Sequence, residues 1–408
     1  VLSDFGSGAE VCAVAERGVY AQSSVAPGRD RAVDQLKVLL VGAVIMTHCA
    51  ITYGADGTWF YREGGLGWLA NVLDVPMAFG ALFAMGAFYF IAGCFTPESL
   101  ARKGASRFVR DRALRLGVPV AVTVVAVVPL IEVVVMIATT RRRDIAGVFT
   151  TQLRQLDPGP LWFAAALLLF SVGYAALRRG RSVSTRDRTL TARAVGCWVA
   201  GIAVTSFLLR LRFRIDTFQI GSLHLWQWGQ CLGLFALGIW LGSRGLQPVE
   251  DRLRRACYWA TGVGALLVVA LLAASHSDLD PLGGGWHWQA ALVAMLEAAL
   301  SVSATVMLLD LARRRWGRAP PTPFRVRLGD SAFGAYVIQA PVIVAVSLAL
   351  RPVPLPPAVK LLIAAAVSLV ACFGLARAAS RAAGCVRSQP PNRRHVRPIG
   401  RRTMPAHN

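Results

Sequence analysis

The sequence predicts an all-α, polytopic membrane protein with about ten transmembrane helices. Two observations lead there. The chain has 408 residues, of which 55% are hydrophobic and only 16% charged, a balance that a water-soluble domain of this length does not need. The apolar residues are also gathered into runs close to the ~20 residues that cross a bilayer as a helix. The runs lie at 36–54, 75–96, 117–138, 159–177, 194–212, 223–243, 256–275, 288–310, 331–350 and 357–376. Inside lipid each backbone N–H and C=O must bond within its own segment, so a continuous run is a helix. A barrel would alternate apolar and polar residues, and these runs do not.

The net charge of +22 points first to nucleic acid, but its placement points to topology. If the N-terminus is cytoplasmic, most of the 44 Lys and Arg residues fall on cytoplasmic pieces. These are the N-terminal segment, 97–116, 178–193, 244–255, 311–330 and the tail after 377. The opposite loops are poor in them, and 276–287 has none. This is the positive-inside pattern, and it predicts a cell-membrane protein with both ends in the cytoplasm. The charge then meets anionic lipid rather than nucleic acid.

Residues 1–30 hold no apolar stretch adequate for a cleavable signal peptide and are expected to be disordered. The first span, 36–54, carries Lys37 at its start and His48 deep inside. Eleven residues at 100° each return to within about 20° of the starting face and rise about 16 Å. Lys37 and His48 therefore share one stripe, the lysine at the cytoplasmic mouth and the imidazole buried. Lys37 can snorkel and His48 can simply bond a neighbouring helix. An ionisable group inside a membrane, however, usually faces a cavity or a pathway. A neutral imidazole there can accept a proton from a hydroxyl.

The second span ends in a basic segment holding Arg102, Lys103, Arg107, Arg110, Arg112 and Arg115. Glu132 lies in the third span (PLIEVVVM) and Glu297 in the eighth (AMLEAAL). Either acid could orient or charge-balance His48, and each could equally be paired elsewhere or protonated. The fifth span ends with Arg210, Arg212, Arg214 and Asp216, against the positive-inside trend. These could grip an anionic acceptor, or the span could be misplaced. The expected outer loops carry GTWFYREGG (57–65), LHLWQWGQ (223–230) and GGGWHWQ (283–289), which include Trp59, Trp226, Trp228, Trp286 and Trp288. Such rings stack on sugars or form an interfacial belt. His224 and His287 sit near the surface in this reading. The segment after 378 is a basic tail expected to be disordered, with His395 and His407 idle. Eight scattered cysteines show no C-x-x-C spacing, so neither a metal nor a redox role is expected.

The Lys37-x10-His48 pair, together with AFYFIAGCFTPESLARKGASRFVRDRALRLGVP at 87–119, resembles the acyltransferase family 3 of integral membrane enzymes. Phe88 to Phe95, Arg112, Arg115 and Pro119 match that family's phrases in order. GPLWFAAALLLFSVGYA (159–175), LFALGIWLGSRG (234–245) and LGDSAFGAYVIQAPV (328–342) extend the resemblance over about 30–376. It implies transfer of an acyl group from cytoplasmic acyl-CoA to a hydroxyl of a sugar, glycan, lipid or macrolide. His48 then takes the catalytic position, with Glu297 and Glu132 as its candidate partners. Lys37, Arg112, Arg115 and Arg107 would hold the phosphates of CoA, and Trp162, Tyr336, Gln339 and Tyr53 would contact substrate. No permanently bound cofactor is implied; acyl-CoA, a hydroxyl-bearing acceptor and membrane lipid are the expected partners. One position departs from the family. Its late helix commonly reads Tyr-x-x-His, and here Tyr336 is followed by Gln339, which hydrogen-bonds but does not shuttle protons. Either Gln339 positions substrate, or the chain is a catalytically silent relative. A proton-coupled transporter built on His48, Glu132 and Glu297 is the other open reading.

Overall fold

The computed structural model describes residues 30–140, 144–179, 188–215, 222–242, 247–274, 280–317 and 322–387. Among them there are helices and turns and no strand. In chain order the helices are α1 (Arg31–Tyr53), α2 (Trp68–Ala81), α3 (Ala84–Lys103), α4 (Ala105–Thr139), α5 (Ile145–Gln155) and α6 (Trp162–Leu177). They continue with α7 (Ala192–Arg212), α8 (Trp228–Leu241), α9 (Asp251–Ala274), α10 (Trp288–Gly317), α11 (Pro323–Leu350) and α12 (Pro357–Arg387). Eight spans among the described residues are long and apolar enough to cross a membrane, with α2–α3 and α5–α6 each forming one. The 14-residue α8 and the 24-residue α9 fall on the remaining two predicted runs. Large apolar side chains such as Leu39, Met46, Val125 and Val370 face outward, where lipid tails lie.

Local chemistry sets the helix starts. Asp30 caps α1 by accepting from the Ala32 and Val33 N–H groups. Thr191 and Thr322 cap α7 and α11 in the same way. Gly54 ends α1 at φ 128°, a conformation that a side chain would resist.

Three details differ from the expected spans. The run expected at 75–96 is two helices that break at Leu82–Phe83. The Gln230 side chain of α8 donates to the Leu82 carbonyl, which the break leaves without a helical partner. A further helix, α5, precedes the fourth span and is capped by Asp144, whose carboxylate accepts from the Gly147 N–H at 2.9 Å. The last helix runs on to Arg387. His395, His407 and Asp216 lie outside the described residues.

Bundle packing rests on small residues. At the crossing of α3 and α8, Gly93 and Gly238 face each other's backbone. A Cβ on Gly93 would land on the Phe235 carbonyl oxygen, and one on Gly238 on that of Phe90. Hydrophobic expulsion from water does not drive helices together within lipid, so such close approach supplies the contact energy instead. One core cluster surrounds the far half of α1, with Ile45, Cys49, Tyr89, Phe163, Phe235 and Ile343. A second surrounds its basic half, with Leu36, Leu40, Phe90, Ile202 and Val302. Helix α4 is continuous but contains two π-helical turns, Ala113–Gly117 and Thr123–Val127, each followed by a proline. Such turns add a residue to the helical circuit and recur at functional sites.

Candidate active site

His48 projects from the last two turns of α1. Its Nδ1 lies 3.1 Å from Oε1 of Gln339 on α11. A carbonyl-type oxygen only accepts, so Nδ1 carries the proton and donates, which leaves the lone pair on Nε2. One face of the ring is covered by Trp59, with centroids 4.1 Å apart and planes within 14°. Gln339 is fully buried, and its Nε2 makes no hydrogen bond among the described residues. The Trp59 Nε1 is likewise buried without a partner.

Trp59 sits on the loop between α1 and α2, and a polar network pins that loop. The Glu63 N–H donates to the Thr52 carbonyl at 2.7 Å. Glu63 Oε1 accepts from Lys360 Nζ of α12 at 2.5 Å, and Oε2 accepts from the Tyr61 hydroxyl at 3.2 Å. Arg62 donates back to the carbonyls of Gly57 and Ala55. Burial, and after it the Glu63 carboxylate, push the Tyr61 hydroxyl up to about 12. Tyr61 therefore keeps its proton and its donor role at any ordinary pH.

A second imidazole–indole stack stands nearby. His224 lies over Trp162, with centroids 4.9 Å apart and planes within 15°. Its Nδ1–H donates to the Ser222 carbonyl at 2.7 Å, so its Nε2 also presents a lone pair. Ser222 and His224 both have φ near +48°, in the left-handed region, so this segment is held against backbone preference. It is held at Trp226, whose ring lies 5.5 Å from the guanidinium carbon of Arg210.

Arg210 explains Glu297. Its Nη2 donates to Glu297 Oε2 at 2.7 Å, with both side chains at most 1% exposed. The imidazole of His48 meets Gln339 and Glu297 meets Arg210, which is the alternative in which the acid is paired elsewhere. A buried carboxylate in a bundle takes the nearest strong donor, and Arg210 points inward from α7 to supply it. Glu132 is half-buried on α4.

At the basic end, Lys37 Nζ lies 3.5 Å from Asp34 and 5.7 Å from the Phe95 ring centroid. Arg112 donates to Thr96, the next residue along α3, at 3.5 Å and covers Phe108. Lys37 and Arg112 therefore reach one level of α3. Arg107 and Arg115 are exposed, Arg115 on the π-helical turn that follows Arg112.

Among the expected substrate contacts, Gln339 touches the imidazole itself. The Tyr336 hydroxyl donates to the Pro160 carbonyl, which leaves it a bracing role. Tyr53 packs in a separate cluster with Leu66, Ala70 and Ala364. Trp162 lies at the site through His224. Sequence reasoning left Trp59 and His224 open between a substrate surface and an interfacial belt and did not place either beside His48. The signal available was a Trp or His beside a helix end, in loops otherwise free of apolar runs.

A helical membrane bundle with a half-buried, oriented base and a basic end defines a multi-pass membrane protein with a candidate active site inside the bundle. The family model for acyltransferase family 3, described as an acyltransferase domain, matches residues 30–377, and the chain belongs to that family. No curated protein and no solved structure was found to match it.

Proposed function

We propose that the protein is an O-acyltransferase of the cell membrane that moves an acyl group from acyl-CoA to a hydroxyl. The acceptor is a carbohydrate, a glycan or another small molecule or lipid. The observation that carries this reading is the oriented imidazole. With Nδ1–H fixed on Gln339, His48 Nε2 is free to take the proton of an incoming hydroxyl. The hydroxyl oxygen attacks the thioester carbon, and the C–S bond then breaks. The thiolate leaves with the proton that His48 returns.

The donor side rests on Lys37 and Arg112, whose meeting at Phe95 and Thr96 offers cations to the phosphates of CoA. The cytoplasmic placement of both chain ends follows from the positive-inside pattern. The test is acyl-CoA binding and thioester cleavage by the purified chain in detergent, with His48→Ala and Lys37→Ala alongside. Binding without cleavage in His48→Ala and weak binding in Lys37→Ala are expected. Failure of the wild-type chain to bind any acyl-CoA would remove the donor from this reading.

A further inference from the structure

A buried N–H without an acceptor is costly, and in a folded protein it calls for an explanation. Two such donors flank His48. The Gln339 carboxamide uses Oε1 to accept from the imidazole, which leaves its Nε2 hydrogens unpaired at a residue with no solvent exposure. Trp59 lays its ring on the imidazole, and its Nε1–H is buried and unpaired among the described residues. These groups come from α11 and from the loop after α1, yet both border the same base.

Acyl transfer creates a need for such donors. When a hydroxyl adds to a thioester carbonyl, the C=O pair moves onto oxygen and the tetrahedral intermediate carries an alkoxide. Donors that are fixed and dry before reaction stabilise that charge without reorganising, which makes them selective for the transition state. We infer that the side-chain N–H groups of Gln339 and Trp59 form the oxyanion-binding site of this enzyme, a reading that rests on the acyl-CoA function proposed above. In the balanced step, His48 Nε2 takes the hydroxyl proton as the new C–O bond forms. Gln339 Nε2–H and Trp59 Nε1–H receive the developing alkoxide. As the alkoxide collapses, the C–S bond breaks and the thiolate takes the proton from His48. Gln339 thereby serves both partners, accepting from the base and donating to the oxyanion.

Two near-isosteric variants isolate the donors. Trp59→Phe keeps an aromatic ring over His48 and removes the N–H. Gln339→Glu keeps an acceptor for His48 Nδ1–H and removes the amide hydrogens. The full chain in detergent is assayed with acetyl-CoA for thiol release. It is also titrated with two unreactive analogues: acetonyl-CoA, a planar ketone, and trifluoroacetonyl-CoA, which adopts a tetrahedral hydrate. Each variant should lose about 10²-fold in thiol release while its affinity for acetonyl-CoA stays within about twofold. The wild-type preference for the tetrahedral analogue should collapse in both. A merely structural role would lower the unfolding temperature and leave that preference intact. An unchanged preference in both variants, or no preference in the wild type, overturns the inference while leaving the donor reading in place. A wild type that binds neither analogue overturns both.

Discussion

The Nδ1 of His48 and the Oε1 of Gln339 lie 3.1 Å apart although 291 residues separate them in the chain. That bond fixes which nitrogen of the ring is basic. An imidazole free to exchange tautomers presents its lone pair to the substrate only part of the time, and a second residue that accepts from Nδ1 ends the exchange.

The two residues should therefore act as one unit. Gln339→Leu is expected to lower thiol release by about 10²-fold, and His48→Ala by about 10²–10⁴-fold. The double variant should be slower than His48→Ala alone but by less than the product of the two losses, since the part of the glutamine's role that works through the ring is lost only once. Additive losses in such a cycle would show that the glutamine acts independently of the base.

Lys37 belongs to donor binding and not to the chemical step. Lys37→Ala should raise KM for acyl-CoA while kcat changes little, and Lys37→Arg should restore most of the loss. Added salt should mimic the substitution in the wild type, because the lysine is partly exposed and its charge is screened. A fall in kcat at unchanged KM would contradict this assignment.

The Glu63–Lys360 pair should behave as a strap across the His48 site. Its nitrogen and oxygen are 2.5 Å apart and the lysine is nearly buried. Removing one partner of such a pair costs about 3–5 kcal/mol, and here it also frees the loop that carries Trp59. Lys360→Met is expected to lower thermal stability and activity together. The exchanged pair, Glu63→Lys with Lys360→Glu, should recover part of both. Recovery of stability without activity would separate the strap from the site.

Glu297 should prove structural. Glu297→Ala leaves Arg210 buried and uncompensated, and a loss of about 3–5 kcal/mol is expected. Replacing both residues by leucine should return stability to near the original. Thiol release per folded molecule in that double variant should stay well above that of His48→Ala. A loss as deep as the His48 variant would restore Glu297 to the reaction.

What the sequence disclosed follows from the length scale of each signal. The helical runs were legible because a run of apolar residues is a local property. The spacing of Lys37 and His48 was legible because a single helix fixes it. The break at Leu82–Phe83 was not, since the residues around it are apolar without interruption and the polar group that meets it, Gln230, comes from α8. The partner of His48 was hidden for the same reason. Two acids at suitable depth were more conspicuous than a glutamine, yet depth along the membrane says nothing of which way a helix is turned. Arg210 was visible as a charge in an apolar run, and its partner became clear only when α7 and α10 were brought side by side. The cap of α5 at Asp144 was readable in principle, because an aspartate before a short amphipathic stretch is a helix start.

The near-parallel stack of Trp59 on His48 has a spectroscopic side. At 4.1 Å and 14°, the carbon-bound protons of the imidazole lie in the shielding cone of the indole. Their resonances are displaced upfield from those of an unstacked histidine, and the chain has only six histidines to tell apart. The base thus carries its own label. Any movement of the loop that lifts the indole would return those lines toward their ordinary positions, so opening and closing of the site can be followed at the atom that performs the chemistry.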